Sequence, residues 1–366
     1  MKILYDYQIF QLQQYGGISR YFVELAKNYN DDINIEISLS AKISNNEYLL
    51  NNRIKHNRVI PLKYIFKKKY AIENMVNSLF TRYKLTTNSI DLFHPTYYNP
   101  YFLDYIGDTP FVLTIYDMIH EKFSNMFSPN DLTSVNKKLL ANRASKIIAI
   151  SESTKKDIIS ILGIKSSKID VVYLGNSMLP SIEPIKLKNI PNKYILFVGN
   201  RGTYKNFYRF IYAISPLLQK DASLYLICAG GKTFSEDEKK IFFNLGIDNK
   251  VYQLNTDDQT LAQLYKQALI FVFPSLYEGF GIPILEAFAC KCPIVCSNTS
   301  SLPEVAGDAA VYFDPMDNNS ILTAISNVLN SNELRKELVL KGTERLSFFS
   351  WEKTSKETKK VYESIL

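Results

Sequence analysis

The sequence predicts an α/β protein built from two parallel-sheet domains of similar size. Three observations lead there: the chain length, a series of short apolar runs, and helical patterns lying between them. With 366 residues and 46% hydrophobic composition, the chain exceeds one ordinary core and suits two domains of about 150–200 residues each. The runs at 111–117, 146–151, 169–175, 194–200, 223–231, 269–275 and 292–298 are short, rich in apolar residues and bounded by turn or capping residues. Continuous apolar runs suit strands buried on both faces. Helical periodicity fills the gaps, as in DDQTLAQLYKQA at 257–268, and βα alternation implies parallel sheets covered by helices.

The expected boundary is the stretch 175–193, which holds three prolines and no clear period. It divides the chain into residues 1–180 and 181–349, with the tail 350–366 still to be placed. Ligands of open α/β sheets bind beyond the carboxyl ends of the strands, so a cleft between two such domains is the expected site.

A formal charge of +7 and a pI near 8.9 are mild for a nucleic-acid binder, and no nucleic-acid partner is expected. The opening MKILYDYQIF is broken by Asp6, and no apolar run approaches a membrane span. A cytoplasmic protein is therefore expected. Four cysteines agree with a reducing compartment. Three of them, Cys290, Cys292 and Cys296, have no histidine nearby and read as core rather than metal ligands. Residues 53–84 carry nine Lys or Arg against one acid, Glu73. That segment reads either as a solvated helix face or as a patch docking on an anionic membrane surface.

The chemistry concentrates in EGFGIPILE, residues 278–286. Pro283 suits the first turn of a helix expected from about Ile282 to Lys291. Gly279 and Gly281 let the backbone approach a ligand. The N–H groups of Phe280, Gly281 and Ile282 then make an anion site at a helix start. Glu278 and Glu286 would repel phosphate, but carboxylates accept hydroxyl donors. One reading has them grip the two ends of a nucleotide sugar around its diphosphate. The other makes Glu286 a complement to the helix dipole and Glu278 a loop charge.

In YILFVGNRGTYKN a strand ends at Gly199 and Asn200, and Arg201 and Lys205 follow. Two cations beyond a strand end suit a diphosphate; a surface turn is the alternative. A nucleotide base is expected between CAGG and QLNTDD, which brings in Gly230 and Leu254. Near the start, Gly16, Gly17 and Ser19 precede an amphipathic helix, without a G-x-G-x-x-G dinucleotide fingerprint.

GGISRYF, FVGNRGTYKN, PSLYEGFGIPILEAFACKCPIVCSN, SLPEVAGDAA and the closing FSWEKTSKETKKVYESIL together resemble the retaining GT-B glycosyltransferases of family four, the group 1 type, in their mannosyltransferase-like branch. The resemblance spans nearly the whole chain. It implies two Rossmann-like domains across a cleft, with a C-terminal helix at 350–366 crossing back to the first. It implies that Glu278 faces the donor sugar, that Glu286 binds ribose hydroxyls, and that Arg201 and Lys205 neutralise the diphosphate. Gly16 and Gly17 would face the sugar and acceptor. Many relatives carry His where Tyr116 stands before Asp117, so His94 and His120 are the nearby histidine candidates.

The implied reaction moves a hexose, mannose from GDP-mannose being preferred over a UDP-hexose, to a glycan or lipid-linked acceptor in surface polysaccharide synthesis. No cofactor is implied beyond the nucleotide sugar. No D-x-D triplet occurs, so metal-independent catalysis is expected. A non-catalytic glycan- or membrane-binding homologue is the rival.

Overall fold

The computed structural model describes residues 1–55, 57–61, 69–87, 89–178 and 190–366. Most of the expected linker and the centre of the basic segment 53–84 lie outside the described residues. The chain divides into two compact units, Met1–Gly175 with Ser350–Leu366, and Asn176–Phe349.

In the first unit, strands β1 (Lys2–Tyr5), β2 (Glu36–Leu39) and β3 (Leu92–His94) pair in the order β2-β1-β3, all parallel. Strands β4 (Val112–Ile115), β5 (Lys146–Ala149) and β6 (Ile169–Val171) pair in sequence order, also parallel. A parallel bridge between Phe93 and Phe111 joins the two sets. All four residues of β4 are buried, as a strand with helices on both faces requires.

The closing helix Trp351–Glu363 starts at Ser350, whose side chain accepts from the Lys353 amide. It belongs to this first unit. Tyr29 donates to the Ser355 carbonyl at 2.6 Å, and Thr354 Oγ1 donates to that of Tyr173 at 2.7 Å. The Trp351 ring lies 6.3 Å from that of Tyr21.

In the second unit, β7 (Tyr194–Val198), β8 (Tyr225–Ala229), β9 (Val251–Leu254), β10 (Ile270–Phe273), β11 (Ile294–Ser297) and β12 (Ala310–Phe313) form one parallel sheet. Its order is β12-β11-β10-β7-β8-β9. The chain starts in the middle, winds outward to β9, then returns to lay β10 against β7. That neighbouring pair is the topological switch point, where loops at the strand ends diverge and leave a crevice. Phe197, Phe207, Phe210 and Phe242 form part of the core beside the sheet.

The α/β expectation holds, and each of the seven apolar runs contains a strand. Strands β1, β2, β3, β9 and β12 were not among those runs. β2, β9 and β12 lie at sheet edges and are only partly buried, and the sequences of β2 and β9 accordingly mix polar and apolar residues. β3 has three residues.

Candidate functional site

The site is built in the second unit, on loops that leave β7, β8 and β10. After β10 the chain passes through Ser275 to Glu278 and enters the helix Ile282–Ala289 at Gly281, with Pro283 in its first turn. Gly281 holds φ 101°, and a Cβ there would meet Leu302 Cδ2 at 3.0 Å. Glycine is thus required on both conformational and packing grounds. The Glu278 amide donates to Ser300 Oγ at 2.9 Å. Ser301 Oγ lies 2.9 Å from each of the carbonyls of Glu278 and Phe280. The loop is therefore held by side chains that follow β11.

The β7 loop is tied to it. The Leu276 amide donates to the Tyr204 carbonyl at 2.8 Å. Next along, Lys205 Nζ donates to Glu278 Oε1 at 2.6 Å, with the two side chains 14% and 12% exposed. The Lys205 ammonium also lies 5.2 Å from the Tyr204 ring centroid and 5.4 Å from that of Phe273. Asn206, in the left-handed region at φ 57°, donates its amide to the Pro315 carbonyl at 2.7 Å. That fixes the start of the helix Phe207–Lys220.

Arg201 is placed differently from Lys205. Its Nε donates to Glu238 Oε1 at 2.5 Å, and its Nη2 to the Lys232 carbonyl at 2.6 Å. The guanidinium lies 4.8 Å from the Phe234 ring centroid. Nη1 is buried and has no hydrogen-bond partner among the described residues. Burial is the largest influence on Glu238 and acts against its ionisation, but the hydrogen bonds from Arg201 and Ser235 and the Arg201 charge together outweigh it and hold the carboxyl below its usual range. Glu238 was missed from the sequence, although S-E-D-E at 235–238 is a visible capping-box pattern; the box is formed.

Gly199, Gly230 and Gly231 all hold positive φ, at 116°, 82° and 70°, beyond the ends of β7 and β8. The Gly230 amide donates to the carbonyl of Leu254, the last residue of β9, at 2.9 Å, so Gly230 and Leu254 are adjacent. Asn200 is exposed beside them. Glu286 is on the inner side of its helix, 8% exposed, and accepts from the Tyr265 hydroxyl at 3.2 Å. Its burial and that bond separate it from the simple dipole-complement reading. The helix stops at Ala289, short of Lys291. Cys228, Cys290, Cys292 and Cys296 are free and buried.

The remaining candidates lie in the first unit. Gly16 is the residue before the helix Gly17–Asn28; Ser19 Oγ donates to its carbonyl at 3.0 Å, and the Ser19 amide to Gln13 Oε1 at 3.1 Å. Between β1 and that helix lies the short helix Gln8–Leu12. Beyond β4, the Tyr116 hydroxyl is buried without a partner among the described residues. Burial and the neighbouring Tyr21, Tyr98 and Tyr97 push it far above the phenol range. Asp117 accepts from the Ile119 amide at 3.0 Å. The fully buried Lys137 donates to the Asp117 carbonyl and to Glu121, each at 2.9 Å.

His94 is corrected from a catalytic candidate to a core residue. It is fully buried. Its Nδ1 lies 2.7 Å from the Tyr362 hydroxyl and its Nε2 2.9 Å from Thr114 Oγ1, so both ring nitrogens are engaged. Burial lowers its pKa to about 3. His120 stacks on Phe127 at 3.9 Å and lies 3.5 Å from Asp131.

Residues 15–176 match the family model described as Glycosyltransferase Family 4, and residues 180–345 match Glycosyl transferases group 1. The chain belongs to the group 1, family-four glycosyltransferases. It is 31% identical to the O-antigen chain mannosyltransferase B of Escherichia coli, over 60% of each chain. It is 28% identical to an uncharacterised glycosyltransferase of Methanocaldococcus jannaschii, over 71% of this chain and 70% of that one. The match with the first of these thus spans less than two thirds of that relative's length. HepE of Anabaena, solved with UDP and glucose, superposes at TM-score 0.77 over the whole of both chains with 19% identity. That likeness shows the fold of this glycosyltransferase family member, GT-B.

Proposed function

We propose that this chain transfers a hexose from a nucleoside diphosphate sugar to a hydroxyl of a glycan or lipid-linked acceptor, with retention and without a metal. One observation carries the reading. At the switch point of the second sheet, Lys205 and Glu278 sit 2.6 Å apart, with Arg201 and the Gly279–Ile282 turn on the same loops. Cations at that place can neutralise charge building on a leaving diphosphate, and preorganised groups lower the barrier most where charge develops. Glu278 and Glu286 are the hydroxyl acceptors for the donor. Gly16, Gly17, Tyr116 and Asp117 are proposed for the acceptor side.

The name of the Escherichia coli relative, an O-antigen chain mannosyltransferase, supports mannose as the sugar; GDP-mannose is the donor we propose, with surface polysaccharide as the product. The UDP and glucose of HepE support a UDP-hexose as the second reading. A lipid-linked acceptor would bring the protein to an anionic membrane. The helix Lys69–Thr86, with Met75, Leu79 and Tyr83 exposed, suits such a surface. No helix among the described residues is long and apolar enough to cross a membrane.

The test is a panel of GDP-mannose, GDP-fucose, UDP-glucose, UDP-galactose and UDP-N-acetylglucosamine, read by thermal shift and donor hydrolysis, with and without EDTA. One donor giving a shift that EDTA leaves intact and that Glu286→Ala abolishes is the expected result. A response that needs metal overturns the metal-free mechanism. No response to any donor overturns the function.

A further inference from the structure

The turn that follows β4 carries Tyr116 and Asp117, and one buried cation holds its polar groups from beneath. Lys137, on the helix Thr133–Arg143, is fully buried. Its Nζ donates to the Asp117 carbonyl and to Glu121 Oε2, each at 2.9 Å, and lies 4.0 Å from Asp117 Oδ1. The ammonium also stands 5.2 Å from the Tyr98 ring centroid. The Tyr98 hydroxyl in turn accepts from the Tyr116 amide at 3.2 Å. Lys137 therefore touches Asp117 itself and the residue that holds Tyr116.

Burying a lysine is costly unless its charge is paired and its protons are bonded. Glu121 meets the charge, with its side chain 7% exposed. The second bond, to the Asp117 carbonyl, fixes the peptide just beyond the end of the strand. Asp117 Oδ1 is fixed separately, by the Ile119 amide at 3.0 Å. Oδ2 has no hydrogen-bond partner among the described residues, and the Asp117 side chain is 29% exposed. Its neighbours Tyr116, Met118 and Ile119 are buried. The Asp117 carboxylate is thus the side chain that this turn offers to solvent, beyond the carboxyl end of β4, where ligands of parallel sheets bind.

We propose that Lys137 is a positioning residue for acceptor binding: it holds Asp117 so that Oδ2 accepts a hydrogen bond from a hydroxyl of the acceptor sugar. The inference rests on the reading of Asp117 as an acceptor-side residue and adds what aims it. A carboxylate fixed before the ligand arrives avoids the ordering cost that a mobile one would bring to binding. If Lys137 only fastened its helix to the turn through Glu121, replacing both members of that ion pair would restore whatever the loss of one had removed.

Acceptor kinetics separate the two roles. Nucleotide release from the donor that the panel identifies is followed with and without the methyl α- and β-glycosides of mannose, glucose, galactose and N-acetylglucosamine. The quantities read are the KM for the glycoside that accelerates release and the KM for the donor. The variants are Lys137→Met, Asp117→Asn, the two combined, and Lys137→Met with Glu121→Gln, each with its melting temperature.

Lys137→Met is expected to raise the glycoside KM about tenfold to a hundredfold, the effect of losing one hydrogen bond to a charged group, with the donor KM unchanged. Asp117→Asn should do the same, and the combined variant no more than either, because the lysine acts through the aspartate. Lys137→Met leaves Glu121 buried and unpaired and should melt lower. Adding Glu121→Gln should restore the melting temperature but not the glycoside KM. Recovery of both shows an ion-pair strut and overturns the inference, as does a glycoside KM that Lys137→Met leaves unchanged. In either case a raised KM in Asp117→Asn leaves the acceptor-side reading standing. An unchanged KM in Asp117→Asn, or a native protein that no glycoside accelerates, overturns that reading and the inference together. Should Lys137→Met fail to fold alone, its combination with Glu121→Gln still decides.

Discussion

The Lys205–Glu278 pair allows the proposed donor site to be tested by a double-mutant cycle. Lys205→Met removes the ammonium and keeps most of the aliphatic stem. Glu278→Gln keeps the carboxylate shape and removes its charge. The pair is 2.6 Å long with about an eighth of each side chain exposed. Surface pairs contribute ~0–1 kcal/mol and breaking a fully buried one costs ~3–5 kcal/mol. An intermediate, screened pair should therefore cost about 2 kcal/mol when one partner is lost. For a unit of this size that is a fall of roughly 4–8 °C in Tm. The double variant leaves neither charge alone, so much of that stability should return. Activity should behave otherwise. If Lys205 meets the diphosphate and Glu278 the sugar, each single change lowers kcat by about 10²–10³, and the double variant recovers nothing. Urea denaturation and initial-rate transfer kinetics give the two readouts. Recovery of both stability and activity in the double variant would show that the two residues serve only each other, and would refute the assignment.

Three further outcomes follow from the buried groups. His94 is held neutral, with a pKa near 3 against 6.5 unfolded; below pH 6.5 the unfolded chain takes a proton that the native state refuses. Stability should fall by about 1.4 kcal/mol per pH unit from 6.5 toward 3 on this account, and His94→Gln should flatten that acid limb in urea titrations; an identical slope would count against it. Glu73 goes the other way, since burial raises it from 4.5 to about 7. Its stabilising effect is present below pH 4.5 and lost as pH rises through 7, so Glu73→Gln should be more stable than the native chain at pH 8 and not at pH 4. At Gly175, an added Cβ would strike the backbone of Ser350 and Trp351 and approach Trp351 Cγ at 2.7 Å. Gly175→Ala should cost about 3 kcal/mol and open the closing helix to limited proteolysis, with resistance at the native rate as the contrary result.

What the sequence carried best was whatever depends on local pattern. Tyr194–Val198, Ile270–Phe273 and Ile294–Ser297 are buried along nearly their whole length, and burial on both faces leaves an uninterrupted apolar run. The glycines and Pro283 marked the turn after β10 because backbone conformation there depends on those residue types. Val251–Leu254 and Glu36–Leu39 were illegible for the complementary reason: an edge strand exposes one face, and its pattern shortens into noise.

The pairings within the site could not be read at all. Lys205 and Glu278 are 73 positions apart, and Arg201 and Glu238 are 37. They meet because the chain returns to place β10 against β7 and because β8 lies on the other side of β7. His94 illustrates the same limit. Its residue type suggested chemistry, but Thr114 and Tyr362, brought in by the next strand and by the closing helix, engage both ring nitrogens. Residue types and their spacing along the chain determined which groups could act. Sheet order and burial decided which of them touch, because hydrogen bonds and ion pairs depend on angstrom distances that only the folded chain sets.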